Sequence, residues 1–110
     1  MTKVTVYKTR DNSYTGFTLE GHAGYDKHSK DIVCASISVL TINTINSIEQ
    51  FTSDLPLVDM EDEKNGILKC WFHGNISKET ILLIDSMLLG LTELKKQYGK
   101  KFIDIKFQEV

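Results

Sequence analysis

The 110-residue chain has few of the features that mark secreted or membrane proteins. It has two cysteines without a CxxC pair and a single proline, Pro56. Two cysteines are too few for a secreted disulfide scaffold, so we expect free thiols in a reducing, cytoplasmic setting. The N-terminal MTKVTVYKTR has no signal-peptide apolar block, and apolar runs such as 81–84 are too short to cross a bilayer. We therefore expect neither export nor membrane insertion.

The chain also lacks a marked excess of charge of either sign. Its 13 basic and 15 acidic side chains leave a formal charge of −2, and no Lys/Arg-rich stripe is present, which disfavours a direct nucleic-acid surface. The 41% hydrophobic content suffices for one core, and no linker or repeat divides residues 1–110. The sequence predicts one domain that is either an enzyme or a protein-binding module.

The first half of the chain predicts a hairpin, a loop and a long helix. Val4 and Val6 alternate with polar residues, and so do Phe17 and Leu19 after a turn at 11–13, which indicates a β-hairpin. The segment 21–30 has no apolar period and predicts a mobile loop. Residues 31–51 then carry apolar residues mostly three to four apart, with only two charges, which predicts a helix buried on more than one side.

The second half predicts the remaining elements of an α+β fold. The segment 57–72 contains two short strands joined by a Lys64-Asn65-Gly66 turn. A second helix is expected between a Ser77 cap and a Gly99 stop, followed by a final strand in FIDIKF. The predicted fold is therefore two-layered, with chain order ββαββαβ and two helices packed on a small mixed or antiparallel sheet. Spare apolar positions on the first helix, Val39 and Ile42, could contact another helix or a second subunit in a homodimer.

Cys34 is the candidate for chemistry because of its predicted position at a helix entry. Asp31, three residues earlier, is a good N-cap, which would place the thiol in the first helical turn, where the helix dipole favours the thiolate nucleophile. The Asp31 charge opposes the thiolate unless the carboxylate caps the helix or orients a histidine. Cys70 alternates with Leu68 and Phe72 on a predicted strand and is expected to fill the core.

Two histidines compete for the role of base beside the thiol. His22, at the exit of the second strand, can be brought back to Cys34 by the glycine-containing loop and is the preferred candidate. His28 is the competitor, although its polar neighbours favour a residue of a solvated loop. Gly21, Ala23, Gly24 and Tyr25 are the candidates for a loop that contacts substrate, although Gly24 and Tyr25 fit turn residues of an exposed loop equally well. No ligand pair with metal-site spacing accompanies the histidines, so neither a metal nor a cofactor is predicted.

The segment 21–40, GHAGYDKHSKDIVCASISVL, resembles the ribosomal-processing cysteine protease family known as Prp. The family pattern is a GHA loop followed by D-x-V-C-A and a nearby serine, and Ser38 matches that serine. One departure is Ser29, which stands where members usually have glycine. The later MLLGLTELKKQY is similar to the family's second helix, so the resemblance spans nearly the whole chain.

The resemblance implies a cysteine endopeptidase that acts in ribosome maturation. Members remove a short N-terminal extension from large-subunit ribosomal protein number twenty-seven, cleave after a phenylalanine-containing motif, fold as a small α+β domain and form homodimers. By this resemblance Cys34 is the nucleophile, His22 the general base and Asp31 a supporting residue. Amides at the start of the helix that Asp31 is expected to cap would face the developing oxyanion.

Two other functions remain open at the level of sequence. A non-catalytic module could bind a ribosomal protein through the loop and an exposed sheet edge. A thiol redox protein is a weaker reading, because that chemistry needs an accessible resolving thiol and Cys70 is expected to be buried.

Overall fold

The fold is a five-stranded mixed sheet with two helices packed against it, which confirms the predicted α+β order ββαββαβ. The computed structural model describes residues 1–21, 27–60 and 66–110, with the backbone alone described for 27–31. Along the chain the elements are β1 (Thr2–Lys8), β2 (Tyr14–Glu20), α1 (Lys27–Phe51), β3 (Leu57–Asp59), β4 (Leu68–Trp71), α2 (Lys78–Tyr98) and β5 (Ile103–Glu109). Across the sheet the strand order is β3-β4-β2-β1-β5.

The predicted N-terminal hairpin is present, and its alternation places one face of the sheet in the core. β1 and β2 pair antiparallel, with Val4 opposite Leu19 and Val6 opposite Phe17, and all four side chains are buried. Asn12 adopts a left-handed φ of 59° in the connecting turn, a conformation that asparagine tolerates. The hairpin therefore supplies the central strands against which both helices pack.

β5 pairs in parallel with β1, so the sheet is mixed, one of the two arrangements left open by the sequence. The pairing runs from Thr2 opposite Ile103 to Lys8 opposite Glu109. The Thr2 amide donates to the Phe102 carbonyl at 2.9 Å, which anchors the start of β1 to the chain that enters β5. On the other side of the sheet, β3 is an edge strand paired antiparallel with β4, as the second predicted hairpin requires.

α1 begins earlier than the sequence predicted, and this corrects two expectations. The helix starts at Lys27, so the expected loop is wrong for residues 27–30, and Asp31 lies inside the helix and is not its N-cap. Cys34 lies about 10 Å along the axis from Lys27, about two turns into the helix. The first turn of α1 carries no apolar residue, so hydrophobic periodicity could detect only the part of the helix that packs on the core.

α1 is apolar on its outer side as well as on its inner side. The segment Ile32–Phe51, 20 residues with a hydropathy of 1.4, is long and apolar enough to cross a membrane by length and composition alone. Val33, Ile37 and Ile48 nevertheless lie in the core, whereas Val39 is 67% exposed. The apolar content of α1 thus divides between the core and an uncovered face of the helix pair.

α2 has the ends that the sequence predicted. The Ser77 hydroxyl accepts a hydrogen bond from the Thr80 amide at 3.2 Å, and Gly99 ends the helix with a φ of 104°. Asp54, just beyond α1, accepts hydrogen bonds from the Ser77 amide at 3.0 Å and the Ser77 hydroxyl at 2.7 Å. This contact ties the end of α1 to the start of α2, and the two helices pack along their length.

Candidate active site

A cleft of about 360 Å³ lies between α1 and the end of the sheet where β2 ends and β4 begins. The sheet contributes residues from four strand ends, because antiparallel neighbours bring the start of one strand beside the end of the next. These residues are Thr2, Leu19, Gly21, Met60, Ile67 and Leu68. The wall on this side is mainly aliphatic, with glycine backbone at Gly21 and Gly66.

The opposite wall is one face of α1, and Cys34 is its thiol-bearing member. Residues three, four, seven and eight positions after Cys34 share its face of the helix and line the same cleft. They are Ile37, Ser38, Thr41 and Ile42. Cys34 is half-buried and its thiol is free of any disulfide. The cleft therefore combines a partly accessible thiol with an apolar wall that continues about 12 Å along the helix to Ile42.

The helix wall has few polar groups, and one of them is already hydrogen-bonded within the helix. The Thr41 hydroxyl is buried and donates to the Ile37 carbonyl at 2.8 Å, a bond internal to the helix. Ser38 is exposed at the cleft, one turn after Cys34. A ligand in the cleft would consequently meet mostly apolar surface beside the thiol, with the Ser38 hydroxyl as an adjacent polar group.

The position of Cys34 within α1 removes the oxyanion site expected from the sequence. The unpaired amides of a helix lie in its first turn, which begins about 10 Å and ends about 6 Å along the axis before Cys34. The Cys34 amide belongs to the helical ladder and donates within it. Donors for an oxyanion at Cys34 must therefore come from backbone outside α1.

The structure describes only part of the predicted site. Cys34 and Gly21 line the same cleft. A loop that begins at Gly21 and acts together with the Cys34 thiol would require this. His22, Ala23, Gly24 and Tyr25 fall in 22–26, outside the described residues. For Asp31 and His28 the backbone lies in α1 and the side chains are outside the described part. Their roles as base, support and substrate contacts remain predictions.

Cys70 differs from Cys34 in its exposure and in its surroundings. Its side chain is fully buried on β4 within the hydrophobic core, as the sequence predicted. Burial, with a smaller contribution from the charge of Glu49, raises the pKa of the Cys70 thiol to about 12. A thiol in these surroundings is neither a nucleophile nor an accessible resolving partner, which weakens the redox reading.

Sequence reasoning missed several cleft residues. Thr41 could have been found by extending the face of Cys34 along the helix in steps of three and four residues. The same steps reach Ile42, so the expectation that Ile42 contacts another helix or a second subunit is wrong, because it lines the cleft. Met60 and Ile67 carried no such signal, because they follow β3 and precede β4 and reach the cleft only through strand pairing. Within the ranges 1–21, 27–60 and 66–110, no group of three or more His, Cys, Asp or Glu residues is placed to hold a metal ion.

Comparison with known proteins relates the chain and its fold to one family. A family model described as "Cysteine protease Prp" matches residues 1–103. The ribosomal processing cysteine protease Prp of Bacillus subtilis (strain 168) is 26% identical over 102 residues, covering 89% of this chain and 90% of that protein.

Two crystal structures of the essential ribosomal processing protease Prp from S. aureus have the same fold. One contains a covalently linked product peptide and matches with a TM-score of 0.88 at 24% identity, covering 98% of this chain and 100% of that chain. The other contains a substrate peptide and matches with a TM-score of 0.87 at 23% identity, with the same coverage. Since the family model spans nearly the whole chain, including the cleft and its thiol, the chain belongs to the Prp family of ribosomal processing cysteine proteases.

Proposed function

We propose that the chain is an endopeptidase that removes a short N-terminal extension from large-subunit ribosomal protein number twenty-seven, cleaving after a phenylalanine-containing motif as a step in ribosome maturation. The observation that carries the proposal is the half-buried Cys34 thiol in the wall of an apolar cleft. The peptide-bound S. aureus structures of the same fold support a peptide as the ligand of such a cleft.

The cleft has the chemistry and the size that an apolar peptide segment needs. Leu19, Ile37, Ile42 and Leu68 offer aliphatic surface on both walls, against which a phenylalanine ring can be desolvated. The volume of about 360 Å³ lies at the small end of ligand pockets. The stretch of about 12 Å from Cys34 to Ile42 corresponds to roughly three to four residues of extended peptide. The proposed ligand of the cleft is therefore an extended peptide segment that has an aromatic side chain near the scissile bond.

The proposed reaction proceeds through a thioester. The Cys34 sulfur attacks the peptide carbonyl carbon while His22 accepts the thiol proton, and a tetrahedral intermediate forms. The carbon–nitrogen bond then breaks as His22 returns the proton to the leaving amine. Water then attacks the thioester carbonyl carbon while His22 accepts a proton from it. The carbon–sulfur bond breaks, the peptide leaves with its new carboxyl terminus, and His22 returns the proton to the Cys34 sulfur. The reaction needs no cofactor.

Asp31 and the oxyanion donors have narrower roles in this proposal than the sequence suggested. Because Asp31 lies within α1, its proposed function is to orient the His22 imidazole and not to cap the helix. The backbone at Gly21 and Gly66, which lines the cleft outside the helix, is the proposed source of oxyanion donors. A preorganised donor of this kind typically contributes roughly 10²–10³ in kcat.

We also propose that the chain acts as a cytoplasmic homodimer formed through the outer face of the helix pair. Val39 on α1 and Leu82 and Leu89 on α2 are each about two-thirds exposed on this face. A shallow groove lined by Leu40 and Leu94 separates the helices there. Two free thiols suit a reducing compartment. Light scattering of the purified chain tests the dimer, with a mass of two chains expected and a mass of one contradicting it.

Cleavage of the extended ribosomal protein, followed by mass spectrometry, tests the proposed reaction. The wild-type chain should release the N-terminal extension, and Cys34→Ala should lower the rate at least about 10³-fold, because the nucleophile is lost. Cys70→Ala is the matched control and should cleave at the wild-type rate. A substrate with alanine in place of its phenylalanines should be cut slowly.

The outcomes distinguish the alternatives. Equal cleavage by wild type and Cys34→Ala, or by neither, contradicts the mechanism. Tight binding of the extended protein without turnover by the wild-type chain would instead favour the non-catalytic binding module.

A further inference from the structure

α1 and α2 approach each other at Gly90, where the absence of a side chain leaves room for Leu40. A Cβ at position 90 would lie 2.9 Å from one methyl carbon of Leu40, 3.1 Å from the other and 3.6 Å from its γ carbon. Carbon atoms in contact pack at about 3.5–4.0 Å. A methyl group at position 90 therefore requires a shift of roughly half an ångström or more.

Turning the Leu40 side chain does not readily clear this contact. The point that the Cβ would occupy faces the fork between both methyl carbons, so exchanging their positions leaves the overlap in place. Leu40 also packs against the hydrophobic core, and a helix allows leucine few χ1 rotamers because the others collide with the preceding turn. We therefore expect a methyl group at position 90 to move α1 away from α2.

The side of α1 that lies opposite Leu40 is the wall of the cleft. Successive residues of a helix are about 100° apart around its axis, so the residues two before and two after Leu40 both point about 160° away from it. These residues are Ser38 and Ile42, and both line the cleft that Met60 and Ile67 border on the sheet side. A displacement of α1 away from α2 consequently moves the helix wall toward the facing wall and narrows the cleft.

We propose that Gly90 is a positioning residue that determines specificity, because its contact with Leu40 sets the width of the cleft beside Cys34 and so the size of the apolar side chain that the cleft admits. Gly90 does not line the cleft and acts through Leu40 and α1. The inference rests on the proposed binding of an apolar peptide segment in this cleft. One methylene group in an apolar pocket changes kcat/KM by roughly 10–200-fold, so half an ångström of width is enough to alter the preference between phenylalanine and the smaller leucine.

Gly90→Ala should lower the preference for phenylalanine over leucine in the cleavage motif at least about tenfold, measured as the ratio of kcat/KM on two matched peptides. Partial unfolding lowers both kcat/KM values by the same factor, so the ratio reports the shape of the cleft. Thr92→Ala is the matched control. Thr92 is exposed on α2, points about 160° away from Gly90, and its replacement by alanine also raises helix propensity. The control should keep the ratio within about twofold of wild type.

Leu40→Ala in the Gly90→Ala background tests the path from Gly90 to the cleft. The second substitution removes the three carbon atoms that the added methyl group meets, so the ratio should return to within about threefold of wild type. Loss of the proposed homodimer would not recover in this way, because Leu40→Ala takes further apolar surface from the outer groove. A Gly90→Ala ratio within about twofold of wild type, or no recovery in the double variant, would overturn the inference.

Peptide binding to Cys34→Ala distinguishes a failure of this inference from a failure of the proposed function. Without the nucleophile the chain should still bind the phenylalanine peptide more tightly than the leucine peptide, and adding Gly90→Ala should reduce this difference in affinity about tenfold. If the wild-type chain does not cleave but the affinities change as expected, the proposed reaction is wrong and the role of Gly90 in setting the width of the cleft holds. If the wild-type chain cleaves and Gly90→Ala changes neither preference, the inference alone is wrong.

Discussion

The surroundings of Cys34 and Cys70 show how the same side chain acquires opposite properties within one small fold. Cys34 lies on α1, half-buried, in the wall of a cleft at the end of the sheet. Cys70 lies on β4, fully buried, opposite Phe17 on one neighbouring strand and Val58 on the other. A ligand in the cleft can therefore reach the Cys34 thiol, whereas no ligand can reach the Cys70 thiol in the folded core.

This difference teaches that stability and chemistry are located in separate parts of the molecule. The core around Cys70 is continuous with the inner faces of both helices and of the central strands. The cleft lies where that packing ends, at the ends of four strands. Substitution of Cys34 itself should therefore change activity more than stability, and substitution of Cys70 the reverse.

The largest expected effect is on the alkylation rates of the two thiols. Iodoacetamide should modify Cys34 in the folded chain, whereas modification of Cys70 requires opening of the core and should be at least about 10³-fold slower. Mass spectrometry of peptides from a timed reaction measures both rates in one sample. In guanidinium chloride the two rates should become similar. Comparable rates in the folded chain would contradict the contrast between cleft and core.

An intermediate effect is expected from serine in place of each cysteine. Cys70→Ser introduces a hydroxyl into an apolar site and should lower the free energy of unfolding by about 1–3 kcal/mol, with kcat unchanged. Cys34→Ser should change stability by less than about 0.5 kcal/mol and strongly reduce cleavage. Urea unfolding and the cleavage assay together measure both effects. A stability loss at Cys34 that matches the loss at Cys70 would show that the two regions are not separate.

The sequence was sufficient to predict those elements whose signals are local. Turn chemistry and alternation located the first hairpin, and Ser77 and Gly99 bounded α2 correctly because capping depends on neighbouring residues. The burial of Cys70 also followed from the alternation of its strand. In each case the deciding interactions lie within a few residues along the chain.

Pairing between distant strands could not be predicted. The parallel pairing of β5 with β1 joins the two ends of the sequence, and periodicity contains no information about which strands become neighbours.

The early start of α1 could not be predicted from hydrophobic periodicity, because polar residues form its first turn. That error made Asp31 a cap and moved the expected oxyanion donors to the wrong place. Met60 reaches the cleft through the pairing of β3, which sequence spacing does not show.

The smallest expected effect lies at the far end of α1 and tests whether stability there is independent of the cleft. Partial burial tends to raise the pKa of Asp54, but hydrogen bonds from Thr80 and Ser77 outweigh it and hold the pKa below its ordinary value of 3.8. Because the folded-state pKa is depressed, the stabilisation is present above the ordinary pKa and is lost as pH falls through the folded-state value.

Asp54→Asn should lower the free energy of unfolding by about 1 kcal/mol at pH 7, and the difference in this free energy between the variant and wild type should vanish in acid. Urea unfolding between pH 7 and pH 2.5 measures this, with Asp11→Asn, an exposed carboxylate in the first hairpin turn, as the control. Unchanged cleavage at pH 7 by Asp54→Asn would show that the Asp54 contact, like the core around Cys70, determines stability and not activity. A loss of activity would show that the end of α1 is coupled to the cleft.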